Sequence, residues 1–179
     1  MSNNGYTVRE NLVEFKDSIL EDLNQGYDLV DVAYGDGNWV GVFQDTPNKT
    51  GYITANNADE LGQKVTEQWA EGGYRLTDVE YGDGVWFGTF EEDSGANNYS
   101  ISTSLTELTA DISEEWNKGY DLVDVEYGDG IWFGVFQDDS SITSGYVNGS
   151  TFDELLADGK ELFSQGYELV DVEYGDGIW

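Results

Sequence analysis

Residues Gly119 to Phe136 read GYDLVDVEYGDGIWFGVF, and the order of residue types in this stretch decides the fold. From Tyr120 to Tyr127 apolar and polar residues alternate, the period of a half-buried strand. Gly128, Asp129 and Gly130 then interrupt the run with residues that accept the positive φ of a tight hairpin turn, and Trp132 to Phe136 supplies a second β-rich run. The motif Gly-Tyr-x-Leu-x-Asp-Val-x-Tyr-Gly-Asp-Gly-x-Trp recurs from Gly26, Gly73 and Gly166, so its four copies start 47, 46 and 47 residues apart. A period of that size marks a repeat architecture, in which one supersecondary unit cannot bury its apolar face alone and stacks on its neighbours.

Upstream of each copy lies an amphipathic helical pattern: Leu12, Phe15, Ile19, Leu23; Ala58, Leu61, Val65, Trp69; Leu105, Leu108, Ile112, Trp116; Phe152, Leu155, Gly159, Phe163. Each opens on a capping box, Asn11 with Glu14, Asn57 with Glu60, Ser104 with Glu107, Thr151 with Glu154, and stops at the motif's first glycine. Strict alternation puts Val30, Val32 and Tyr34 on one face of the first hairpin strand and Tyr27, Leu29 and Asp31 on the other. The return strands are Trp39 to Phe43, Trp86 to Phe90 and Trp132 to Phe136. A third short strand is expected at Gly5 to Val8, Gly51 to Thr54, Tyr99 to Ser102 and Gly145 to Val147. Positive φ is expected at Gly35 and Gly37, so that valine at either strains the hairpin.

The expected fold is α+β, with four ~47-residue repeats of a β-hairpin, a third strand and an amphipathic helix, stacked or closed as a propeller-like toroid. The whole chain, 1–179, is read as a single repeat domain with units at about 5–43, 51–90, 98–136 and 145–179. It starts at a third strand and stops at Trp179, inside a second one. Ring closure and a piece of a longer array both follow from that phase, and the cut strand favours the piece.

Composition narrows the chemistry. The 179 residues carry 37 acids against 7 bases, a net charge of -30, which repels nucleic acid and anionic membrane surfaces. A solubility device, a high-salt or extracellular setting, a divalent-cation sink or a surface for basic partners remain. There is no Cys and no His, hence no disulfide, no thiolate site and no imidazole acid–base catalysis. No apolar run is long enough to span a bilayer, and Met1 to Leu20 lacks the regions of a secretory signal, so membrane insertion is not expected and the compartment stays open.

The run Gly119 to Phe136 also resembles the YGDG-containing repeats of a domain-of-unknown-function family. Such repeats occur C-terminal to plant casein-kinase-like catalytic domains and in bacterial multi-repeat proteins. The resemblance covers all four units and implies an accessory repeat module. No kinase motif accompanies it, neither a Gly-rich nucleotide loop nor His-Arg-Asp nor Asp-Phe-Gly, so it implies no catalytic residue.

Two residue sets are the site candidates. The first is carboxylates. Asp31, Asp78, Asp124 and Asp171 repeat within the strand, and Asp36, Asp83, Asp129 and Asp176 within the turn. The strand set reads as acceptors of backbone or Tyr hydroxyl hydrogen bonds at a repeat junction, and the turn set as hairpin chemistry. Calcium is the alternative for both, since hard oxygen ligands abound, although no EF-hand loop is present. Glu80, Glu126 and Glu173 stand one residue before YGDG, and Ala33 replaces them in the first unit.

The second set is aromatic: Tyr27, Trp39, Tyr74, Trp86, Tyr120 and Trp132, read as core between neighbours or, if exposed, as sugar-stacking platforms of a lectin-like module. Every candidate group is copied, whereas catalysis uses distinct groups in one pocket. The only departures are conservative, such as Arg75 and Thr77 against Asp28 and Val30. The expectation is a non-enzymatic binding or scaffolding module with no cofactor and a protein or glycan ligand. Divalent-cation binding and carbohydrate binding are the alternatives.

Overall fold

The computed structural model describes residues 4–93, 95–138 and 143–179. These form four helices and three antiparallel sheets of three strands each, an α+β architecture, and no closed barrel or propeller is formed among them. The chain divides into two compact units, Met1–Gly95 and Ala96–Trp179. Each unit contains two repeats.

The first repeat shows the rule. Strand β1 (Asn4–Arg9) leads into helix α1 (Leu12–Asn24), then β2 (Asp28–Gly35) and β3 (Asn38–Gln44) form the hairpin. The sheet order is β1-β3-β2, so the return strand is central and pairs with both others. The second repeat repeats this with β4 (Thr50–Ala55), α2 (Ala58–Glu71), β5 (Tyr74–Gly82) and β6 (Val85–Glu92), in the order β4-β6-β5. The third has β7 (Asn97–Ser102), α3 (Leu105–Lys118), β8 (Asp121–Gly128) and β9 (Ile131–Gln137), ordered β7-β9-β8.

The helices start where the caps predict. Side chains of Asn11, Asn57, Ser104 and Thr151 accept from the backbone N–H three residues on. The returning acid reaches one residue further back than in an ordinary capping box. Glu60 accepts from Asn56 N–H, Glu107 from Thr103 N–H and Glu154 from Ser150 N–H, each at 2.9 Å. All three carboxyls lie below the ordinary range: the Thr103 hydroxyl for Glu107 and the Ser150 hydroxyl for Glu154 are the larger causes, with these backbone bonds next, and for Glu60 the Lys64 hydrogen bond comes first and its value falls to about 2.

Two local expectations need correction. The turn residues with positive φ are Asp36 (+49°) and Gly37 (+76°), the pair a type I′ two-residue turn requires, and Gly35 is not among them. Alternation also breaks in the first hairpin strand. Leu29 pairs with Phe43 and Asp31 with Val42, which leaves Val30 as an extra residue in a bulge. The same shift recurs between Leu76 and Asp78 and between Leu122 and Asp124. Leu29 and Val32 therefore both face the core, and Asp31 moves to the opposite face from Leu29.

Each complete repeat buries one helix face on one sheet face. Phe15, Ile19, Leu29, Val32, Trp39 and Phe43 close the first core; Leu108, Ile112, Leu122, Trp132 and Phe136 close the third. Each central strand carries a tightly packed glycine. A Cβ at Gly41 would press on Phe15 at 3.1 Å, at Gly88 on Leu76 at 3.2 Å, and at Gly134 on Leu108 at 3.1 Å.

The fourth repeat differs. Helix α4 (Phe152–Ser164) forms, yet residues 145–147 and 167–174 carry no ladder, where the sequence reading had strands. The reason is topological, since both flanking strands pair only through the central one, of which these residues contain little more than Trp179.

Candidate functional site at the repeat junction

The outer edge of β2 presents backbone N–H groups with no strand beside them, and the second repeat satisfies them with side chains. Leu29 N–H donates to Thr50 Oγ1 at 2.7 Å, Val32 N–H to Asp78 Oδ2 at 3.3 Å, and Tyr34 N–H to Glu80 Oε1 at 3.0 Å. Asp78 and Glu80, two residues apart, share one face of β5, and the bulge between Leu76 and Asp78 turns that face away from the one Leu76 buries. The second unit uses the same device. Leu122 N–H donates to Ser144 Oγ at 2.8 Å and Val125 N–H to Asp171 Oδ2 at 3.3 Å.

These bonds give Asp78 and Asp171 the backbone-acceptor role at a repeat junction. Asp124 is buried and Asp31 is exposed. Thr50, Ser144 and Glu80 were not singled out from sequence as junction residues. The signals were present: a hydroxyl residue before Gly51 and before Gly145, and an acid that the first unit replaces with Ala33.

Packing follows the hydrogen bonds. A Cβ on Gly82 would overlap the Cβ and Cγ of Tyr34, and one on Gly175 would overlap those of Tyr127. The first glycine of the GDG turn thus admits the tyrosine of the preceding repeat. Gly35, with nothing within 4 Å, has no such neighbour. Phe87 crosses the same junction, fully buried in the first repeat's core, with ring centroids 5.8 Å from Phe15 and 5.8 Å from Trp39.

The turn aspartates Asp36, Asp83, Asp129 and Asp176 all have φ of 49° or 50° and are exposed at the hairpin tips. Among the described residues no group of three or more Asp or Glu side chains is arranged to hold a metal ion. Trp39, Trp86 and Trp132 are 0, 0 and 3% exposed, which leaves no ring face for a sugar. Tyr27 and Tyr120 are half-buried against the first and third cores, while Tyr74 is exposed. Arg75, the departure from the motif, is buried and pairs with Asp93 at 3.2 Å. It fixes the loop after β6 with the charge order reversed from the first repeat, where Asp28 accepts from Thr46.

One carboxyl at the junction between the third and fourth repeats is out of the ordinary range. Burial pushes Glu173 up to about 7 and the charge of Asp171 adds to this, against hydrogen bonds from Tyr174 N–H and with Glu126. A folded-state value raised above the unfolded one contributes stability below about pH 4.5 that is lost as pH rises through about 7. Between pH 5 and pH 8 the urea midpoint of the wild type should therefore fall relative to that of Glu173→Gln. Parallel midpoints across this window would contradict the assignment.

No helix among the described residues is long and apolar enough to cross a membrane. No protein family, curated protein or solved structure matches this chain.

Proposed function

We propose that this chain is a non-enzymatic binding or scaffolding module, a stack of like units whose outward chemistry is carboxylate. The observation that carries the reading is the shared use of the motif in both halves. Asp78 on Val32 and Asp171 on Val125 make the same 3.3 Å bond, and the return-strand tryptophans Trp39, Trp86 and Trp132 are spent on cores. Each unit offers an exposed hairpin-tip aspartate, on a chain of net charge -30. The partner chemistry is then a cationic polypeptide, gathered by several weak, salt-screened contacts. The resemblance to the YGDG repeat family belongs to the same proposal, since it implies an accessory module.

The test titrates a lysine 20-mer into the protein and into a variant with Asp36, Asp83, Asp129 and Asp176 all changed to Asn. Asparagine also accepts the left-handed conformation, so the turns are kept while four charges are lost. Binding at low salt that weakens at least tenfold in the variant and falls steeply with sodium chloride supports the reading. Unchanged binding by the variant overturns the role of the tips. Turnover of a glycan or phosphoester that a single carboxylate change abolishes overturns the non-enzymatic reading.

A further inference from the structure

Each sheet has the same kind of outer edge. In the orders β1-β3-β2, β4-β6-β5 and β7-β9-β8 the first strand pairs on one side only, and the ladder fixes which of its groups look outward. Glu92 N–H donates to Lys49 O one step beyond the pair Thr50 and Glu91, and Asp138 N–H donates to Ala96 O one step beyond Asn97 and Gln137. Antiparallel partners alternate between exchanging hydrogen bonds and exchanging none. The N–H and C=O groups of Tyr52 and Thr54 on β4, and of Tyr99 and Ile101 on β7, therefore point away from the central strand.

Two of these edges are stoppered by cations. Thr54 O accepts from Lys64 Nζ at 2.7 Å, and Val8 O, at the same position of β1, accepts from Arg9 Nη1 at 2.7 Å. A cation seated on an outward carbonyl takes the acceptor an incoming strand would use, and charged side chains are a usual means of keeping edges from pairing. The third edge departs from this. The seventh residue of α3 is Asp111 where that of α2 is Lys64, and no side chain among the described residues donates to Ile101 O. Asp111 Oδ2 instead accepts from Ser102 Oγ at 2.7 Å, on the helix side of β7. Further along that side Glu115 is matched by Lys118 at 2.8 Å, whereas Asp111 has no cation beside it among the described residues.

We infer that the outer edge of β7 is a strand-addition site, which takes an extended segment of alternating basic and apolar residues from a partner polypeptide. This rests on the cationic partner proposed above and adds how a segment of it is held. The added strand runs antiparallel, as every other pair in the sheets does. Its residue opposite Ile101 donates to Ile101 O and accepts from Ile101 N–H. Directly opposed residues turn their side chains to the same face. Ser102 turns toward α3, so the residue opposite it is basic and reaches Asp111. Tyr99 and Ile101 turn to the other face, where the Tyr99 ring stacks on Phe133 at 5.4 Å, so the residues opposite them are apolar. Charge chooses the partner and the backbone ladder holds it, whereas a hairpin tip offers charge alone.

The experiment uses the 179-residue chain and its variant with Asp36, Asp83, Asp129 and Asp176 changed to Asn, which removes the tips. The probe is the capped peptide VKVKVKV, and its control is the same peptide with every valine N-methylated, which keeps the charge and removes the N–H groups that face β7. Expected results are saturable binding to both proteins and slowed amide exchange at Ile101 but not at Thr54. The N-methylated peptide should bind at least tenfold more weakly. Changing Ser102→Ala together with Asp111→Lys should weaken binding as much, and this pair reproduces Ala55 and Lys64 of the second repeat, so the fold is kept. Equal binding of the two peptides would overturn strand addition and leave the cationic partner standing. Binding lost with the tips would do the same and assign the partner to them. Slowed exchange at Thr54 equal to that at Ile101 would overturn the distinction between the capped and the open edge. Absence of binding to either protein would overturn both readings.

Discussion

Gly82→Ala should destabilise the first unit by about 3 kcal/mol, the upper range for forcing atoms into a filled core, while Gly35→Ala at the equivalent position should be neutral or stabilising by about 0.5 kcal/mol. The two glycines have the same place in the same motif, and neither has positive φ. What separates them is Tyr34. Its Cβ and Cγ occupy the space a side chain at Gly82 needs, and these atoms, bound close to the backbone of β2, cannot swing away as the end of a long side chain does. Relief would require β2 to move off β5, which would break the bonds from Val32 to Asp78 and from Tyr34 to Glu80. Urea unfolding followed by circular dichroism measures both variants. Combining Gly82→Ala with Tyr34→Ala should recover part of the loss as a favourable coupling, since Cγ and the ring are removed and only the overlap with Cβ remains. Equal midpoints for Gly82→Ala and Gly35→Ala would mean that the tyrosine does not seat on the following glycine.

This contrast marks the boundary of what the sequence makes legible. Within a repeat the information is local. Asn57 three residues before Glu60 caps a helix, and Asp-Gly takes the same turn in all four copies. Helices and hairpins, and the α+β class built from them, could accordingly be read directly. Strict alternation was the step that failed, because a bulge at Val30 carries no residue type of its own; it follows from fitting Leu29 and Val32 into one core. The same failure placed Asp31 beside Leu29 when it belongs on the other face.

Between repeats, information is spread over partners some 46 residues apart, and one sequence cannot show which of its repeated residues serve the neighbour. The acid of Asp-Val-x-Tyr could be read as a backbone acceptor, but its donor, the N–H of Val32 for Asp78, has no side-chain signature at all. Apart from the hydroxyl residues Thr50 and Ser144, the sequence traces of the junction are exceptions: Ala33 in place of Glu80, and Val40 in place of Phe87. An exception can be interpreted only once the contact it lacks is known.

Phe87→Ala tests the junction from the side of its core, and is expected to cost about 4 kcal/mol, as large-to-small changes of a fully buried phenylalanine do. The ring belongs to the second repeat by sequence and to the first by packing, since it lies among Phe15, Trp39 and Tyr52, the last stacked on it at 5.1 Å. In a stack of units, stability divides into a term for each repeat and a term for each contact between neighbours, and cooperativity resides in the second. Removing Phe87 subtracts mainly from the contact. The first repeat should then unfold ahead of the second, so that the urea transition of the variant becomes shallower or splits. Leu61→Ala is the matching control, because Leu61 is equally buried but sits between α2 and its own sheet. It should cost about 3 kcal/mol and leave the steepness of the transition unchanged. If both variants shift the midpoint and neither changes the slope, the two repeats are coupled by the Asp78 and Glu80 bonds to β2 and not by the shared aromatic core.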